Sequence, residues 1–283
     1  MKLLYLVGLE HSGTTLVSHL LGQHEAFLAL GEIAAFFSSS HMQQYMDTWG
    51  DHEDVSLCSC GEDWQDCEFW GDLIGLAGHH SESGLLSKYK RLFEYFNNRL
   101  SPQRVIIDSS KSFSTLVLLL ENAHYFGISK QDVGVVFAVK DVRNFATSIA
   151  VKPGAKHSFI SHYRSFNWWL GENKKVLNYL EQAGVDFQLH LYDSWVANKD
   201  RSLSSYFSAM GYPDVESSDV SHSKSHIAMG NKNFIMRNRA EISYDDRWKR
   251  NLRARLAYLL HPRARAFNKF LYRYAGKHPH STR

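Results

Sequence analysis

Leu3-Leu4-Tyr5-Leu6-Val7-Gly8-Leu9-Glu10-His11-Ser12-Gly13-Thr14-Thr15-Leu16-Val17 is the stretch on which the fold turns. Its run of apolar residues ended by a glycine reads as a buried parallel strand, which needs no polar alternation because both of its faces are covered. Beyond the loop, Leu16, Val17, Leu20 and Leu21 return at helical spacing, and Gly22 stands where a helix stops. Between strand and helix, Gly8 and Gly13 have the G-x4-G spacing of a phosphate-binding loop. Glycines let successive N–H groups converge on an anion, and the helix N-terminus adds about half a positive charge. Yet Thr14 occupies the place where nucleoside triphosphatases carry the lysine that reaches the β- and γ-phosphates. The loop is therefore expected to hold one phosphate while lacking the usual partner for three. A glycine turn capped by a hydroxyl would share part of this pattern.

The alternation continues along the chain. Strand-type runs occur at 105–107 and 134–139, and at Phe187, Leu189 and Leu191, which alternate with polar residues. Helical patterns lie between them at 112–125, 142–151, 163–181 and 203–210. Strands alternating with helices predict an α/β fold, a single domain spanning 1–283 with a central parallel sheet flanked by helices. Two stretches do not fit, an insertion at about 36–75 and a polar segment at about 216–244, and each is expected to form a lid or a substrate wall. The basic tail over 245–283 reads as a solvated amphipathic helix with a frayed end.

Composition narrows the function classes. The 283 residues are enough for a large core, so a mini-protein stapled by metal or disulfides is excluded. A net charge of +3, from 32 basic and 29 acidic residues without a long single-sign run, does not suggest nucleic-acid binding. No stretch approaches the ~18 consecutive apolar residues of a membrane span. Residues 1–7 are too short for a secretory core, and three cysteines cannot make a full disulfide framework, so a cytoplasmic location is expected. Nothing in the sequence signals an oligomeric state.

His11-Ser-Gly-Thr-Thr-Leu16 after a strand resembles the R/K-S-G-T-T-L/W loop of the sulfotransferase family, which grips the 5′-phosphate of 3′-phosphoadenosine 5′-phosphosulfate (PAPS). The family's second signature is an arginine at a strand end with a serine eight residues on, holding the 3′-phosphate. Here Lys140 and Ser148 have that spacing, with Lys in place of Arg and Arg143 as a possible second cation. His226-Ile-Ala-Met-Gly230-Asn231-Lys232, followed by Arg237, Asp246 and Trp248, is similar to the H-x3-G-N segment and D-x-W helix of bacterial and carbohydrate sulfotransferases, which close over the nucleotide. Leu191-Tyr192-Asp193 is similar to a further strand-to-helix segment of the family. The resemblance runs from residue 3 to about 255. It implies a P-loop-NTPase-like sulfotransferase fold and an enzyme moving a sulfuryl group from PAPS to a hydroxyl or amine of a small-molecule or carbohydrate acceptor, releasing adenosine 3′,5′-bisphosphate (PAP). In this reading Ser12, Gly13, Thr14, Thr15, Lys140, Ser148, Gly230, Asn231 and Lys232 bind the nucleotide, and no metal is required.

Sulfuryl transfer needs a base on the acceptor and a cation on the departing oxygen. Glu32, after Gly31 at the end of a second strand, resembles the glutamate base of tyrosyl-protein and heparan-type sulfotransferases, with Glu10 as its neighbour and competitor. His11 replaces the family's basic residue and could donate a proton to the leaving phosphate. Lys111, in an Asp108-Ser-Ser-Lys string similar to that of carbohydrate sulfotransferases, could neutralise the sulfuryl or bridging oxygens. Read without the family, a strand ending in Asp108 is a Walker-B-like magnesium site, so a small-molecule kinase using ATP is the alternative enzyme. A non-catalytic nucleotide-binding module is the other alternative.

Cys58-x-Cys60-x6-Cys67 could begin a zinc site completed by His52, His79 or His80, could form a Cys60–Cys67 disulfide, or could simply pack. A similar C-S-C-G…C-x-F-W element occurs within an insertion of bacterial sulfotransferases. Among the aromatic residues at 157–169, helical spacing predicts core for most and an acceptor pocket for one or two.

Overall fold

Five parallel strands form one sheet, β1 (Lys2–Gly8), β2 (Phe27–Gly31), β3 (Val105–Lys111), β4 (Val133–Val139) and β5 (Phe187–Leu191), in the spatial order β2-β3-β1-β4-β5. The computed structural model describes residues 1–50, 55–77, 84–100, 104–150, 158–197, 199–215, 225–230 and 246–277. Successive side chains of β1 point to opposite faces, and both faces are covered. Leu3, Tyr5 and Val7 join the larger core, with Leu92 and Phe93 of the helix Leu85–Arg99, Leu116 of Phe113–Glu121 and Trp169 of Phe159–Gln182. Leu4 and Leu6 join the smaller core, with Val17 and Leu21 of the helix Thr14–Leu21 and Phe207 of Lys199–Ala209.

From β1 the chain moves outward to β2 and returns by β3, and from β4 it moves the other way to β5. The crevice at the carboxyl ends of β1 and β4 is therefore a topological switch point, the place where open α/β sheets bind ligands. Gly8 and Ala138 face each other across it in register. The β3 strand carries one extra residue against β1, since Tyr5 pairs with Asp108 but Val7 pairs with Lys111. A bulge of this kind bends the strand and re-aims the side chain that follows.

Three expectations are revised. Much of the insertion is regular, with helices Ile33–Phe37, Ser39–Trp49 and Trp70–Ala77 around a turn-rich stretch at 55–69. The C-terminal helix Pro262–Lys277 is not simply solvated, because Ala264, Phe267 and Leu271 form an apolar stripe that packs into the larger core. Of the polar segment, 225–230 runs beside β2, with the His226 N–H donating to Ala29 O at 2.9 Å and the Ala228 N–H to Leu30 O at 3.3 Å. The rest of 216–244, including Asn231 and Lys232, lies outside the described residues. Among the described residues no helix is long and apolar enough to cross a membrane.

Candidate functional site

The loop after β1 is held by its own backbone. Ser12 donates both its N–H (3.3 Å) and its hydroxyl (2.6 Å) to Leu9 O, closing the turn. Gly13, not a hydroxyl residue, is the N-cap of the helix, and its φ of 86° is a left-handed conformation that favours glycine. The alternative reading, a turn capped by a Ser or Thr hydroxyl, is not what this helix carries. Thr14 Oγ1 is buried with no hydrogen-bond partner, in the place where a triphosphatase has its lysine. A Cβ on Gly8 would collide with Ala138 O, and one on Gly13 with the Tyr192 ring, so the loop packs tightly between β4 and the start of the helix Tyr192–Ala197.

Lys140 leaves β4 beside this loop. Its ammonium donates to Ser148 Oγ at 3.0 Å, and both side chains are buried. The Lys140 ammonium also lies 5.1 Å from the centre of the Tyr192 ring, so one aromatic ring touches both the cation and the loop. Trp169 Nε1 holds the Lys140 carbonyl at 2.9 Å. The structure thus brings Lys140 and Ser148 together next to residues 12–15. Arg143, offered by the sequence as a second cation, is ion-paired with its neighbour Asp141. Its guanidinium grips that carboxylate through Nε at 2.8 Å and a terminal nitrogen at 2.7 Å, and lies 4.0 Å from the Trp248 ring.

On the other side of β1, Glu32 and Lys111 meet. Lys111 Nζ donates to Glu32 Oε1 in an ion pair whose side chains are each about one-fifth exposed. Lys111 has a φ of 65° at the β3 bulge, a conformation that costs a side-chain-bearing residue about 1–3 kcal/mol. Among the described residues the other non-glycine with positive φ is His11, also at 65°. The Glu32 N–H donates to Met229 O at 3.2 Å, which ties the carboxylate's backbone to the segment beside β2.

Glu32 and Lys111 line a cavity of about 840 Å³ that also touches Gly8, Leu9, Glu10, Trp168 and Met229. The aromatic pocket wall expected near 157–169 is therefore Trp168, while Phe166 and Trp169 are core and His157 lies outside the described residues. His11 is exposed and is not part of this wall, so the structure groups Glu32 and Lys111 but not His11. Tyr192 carries no proposed role in the sequence reading. Its position directly after β5 is the signal that marks it.

Asp108 is fully buried beneath the site and both its oxygens are used. Tyr89 OH donates to Oδ2 at 2.5 Å, while the Ser110 N–H (2.9 Å) and hydroxyl both donate to Oδ1. A carboxylate so engaged braces the end of β3, which argues against the magnesium role of the kinase reading. Burial raises Asp108 to about 6. The folded chain then holds this proton more tightly than the unfolded one, so stability falls as pH rises from about 4 to about 6, by roughly 3 kcal/mol for a two-unit shift. Denaturant unfolding of wild type and Asp108→Asn across that window should show the wild-type slope lost in the variant. Parallel profiles would mean that Asp108 titrates normally.

The thiols are free and no disulfide joins Cys60 to Cys67. His52, His79 and His80 lie outside the described residues, and the imidazole that stands with the three thiols is His226.

No protein-family model matches the chain. No curated protein matches it. Among solved structures it is similar to the sulfotransferase domain from the Synechococcus PCC 7002 olefin synthase, with a TM-score of 0.52 and 15% identity over 94% of each chain. The expected α/β, P-loop-like sulfotransferase fold is the fold observed.

Proposed function

We propose that the chain is a PAPS-dependent sulfotransferase acting on a hydroxyl or amine of a small-molecule or carbohydrate acceptor. The observation that carries this reading is the buried Lys140–Ser148 pair beside the 8–15 loop. A loop without its lysine, next to a second cation on the neighbouring strand, suits two separate phosphate groups better than one triphosphate chain. The partnerless Thr14 hydroxyl and the tight loop around Gly13 fit a phosphate received by residues 12–15. PAPS supplies the activated sulfuryl group. In this reading Lys140 and Ser148 hold the 3′-phosphate, with Gly230, Asn231 and Lys232 closing over the nucleotide.

The acceptor occupies the 840 Å³ cavity, where Trp168 offers an apolar face and Glu32 a base. Glu32 takes the acceptor's proton as its oxygen or nitrogen bonds to sulfur, and Lys111 offsets negative charge on the oxygens in flight. His11, exposed on the loop after β1, is proposed to donate to the departing phosphate oxygen. None of these roles calls for a catalytic metal.

A thermal-shift titration with PAP, run beside ATP with magnesium, tests the donor. PAP is expected to stabilise the fold by about 2.7 kcal/mol at a hundredfold excess over its dissociation constant. Lys140→Met should weaken PAP roughly 10- to 100-fold, the loss of one charge-assisted contact. Equal or greater stabilisation by ATP with magnesium, unaffected by Lys140→Met, would replace this reading with the kinase.

A further inference from the structure

We propose that Cys58, Cys60, Cys67 and Nδ1 of His226 bind one zinc ion that fastens the 225–230 segment to the turn-rich stretch at the edge of the sheet. The four ligand atoms lie within 4.8 Å of one another. Cys67 Sγ is 3.7 Å from Cys58 Sγ, 3.9 Å from Cys60 Sγ and 3.2 Å from His226 Nδ1, and Cys58 Sγ is 4.0 Å from the same nitrogen. Tetrahedral zinc with its usual bond lengths sets sulfur atoms about 3.8 Å apart and sulfur about 3.6 Å from nitrogen. The observed spacings bracket those values, so an ion fits with small side-chain adjustments.

The second nitrogen of the imidazole is also placed. His226 Nε2 lies 3.3 Å from Glu68 Oε1, so a proton on Nε2 leaves the lone pair of Nδ1 facing the thiols. A carboxylate behind a histidine in this way orients the ring and raises its basicity as a ligand. Cys58, Cys67 and His226 are buried, while Cys60 is half-buried and Glu68 exposed, which leaves a path for the ion to enter.

The backbone around the four residues is pinned independently of any ion. Ser59 donates its N–H to Ile227 O at 3.1 Å and its hydroxyl to Ser225 O at 2.6 Å, and Trp70 Nε1 donates to His226 O at 2.6 Å. Three thiolates and one imidazole form a soft donor set that selects zinc over magnesium or calcium. With four protein ligands the site is closed, so its role is structural. Loading releases the thiol protons to solvent. What the ion would hold is the strand-like segment whose Met229 carbonyl receives the Glu32 N–H, so the cluster supports the cavity edge without touching it. This inference stands apart from the identity of the sulfuryl donor.

The full chain, purified without chelator, should carry close to one zinc per molecule by elemental analysis, released when the thiols are titrated with a mercurial. Chain stripped of zinc and loaded with cobalt(II) should show thiolate-to-cobalt charge-transfer bands and the intense visible bands of tetrahedral cobalt. Cys60→Ser changes the half-buried ligand and least disturbs the core. It should cut the charge-transfer intensity per cobalt by about a third, as one of three thiolates is lost. Zinc-free folded protein whose three thiols titrate and which yields no cobalt bands would overturn the proposal, as would a Cys60–Cys67 disulfide found by mass spectrometry.

Discussion

Glu32→Gln is expected to lower the turnover of sulfuryl transfer from PAPS to an aliphatic alcohol by about 10²- to 10⁴-fold, the usual worth of a general base. The amide keeps the shape of the side chain but cannot take a proton. PAP affinity should largely hold, because Lys140 and Ser148, which hold the 3′-phosphate in this reading, lie across β1 on the β4 side. A panel of acceptors separates this role from simple positioning. An acidic phenol is already largely ionised near neutral pH and needs little help from a base, so its rate should fall far less than that of the alcohol. Equal losses for both acceptors would make Glu32 a positioning residue held by Lys111. Full activity in Glu32→Gln, with the loss appearing in Glu10→Gln, would move the base to the other carboxylate of the cavity wall.

Lys111 separates function from stability in one position. Its left-handed backbone is costly for any residue with a Cβ, and glycine relieves that cost. Lys111→Gly should therefore be more stable than Lys111→Ala by about 1 kcal/mol. Both variants lose the ammonium that faces Glu32, and both should lose turnover by about 10²-fold or more, as when one charge-stabilising group is removed. Strain kept at a residue whose side chain the reaction uses is the expected mark of a working site. If Lys111→Gly instead proves less stable than Lys111→Ala, the backbone at the bulge is not strained. If both variants keep wild-type turnover, the Lys111 ammonium has no part in the chemistry.

The sheet was legible because each of its strands is a local signal. Leu3 to Val7 and the glycine after them announce a buried strand and a tight turn without reference to anything else in the chain. The eight-residue step from Lys140 to Ser148 was marked only by the family resemblance, and the two side chains meet because it crosses a strand end and about two turns of one helix. Less visible was the work done by helices with mixed faces. Pro262–Lys277 carries enough basic residues to look solvated, and only the stripe of Ala264, Phe267 and Leu271 betrays its place in the core. The pairing of Arg143 with Asp141, two residues before it, was not legible either, because side-chain direction cannot be read from spacing at that range.

Residues 3–22 by themselves determine a strand, a phosphate-type loop and a helix, since hydrogen bonding and glycine backbone freedom act over a few neighbours. Tertiary structure alone decided which distant groups meet. Glu32 and Lys111 are 79 residues apart and touch because β2 and β3 are adjacent and a bulge turns Lys111 toward the strand end. His226 stands 159 residues from Cys67 and reaches the thiols because its segment runs along the free edge of β2. Such pairings depend on strand order and register, which arise from burying both faces of a sheet at once, and no local run of residues encodes that order.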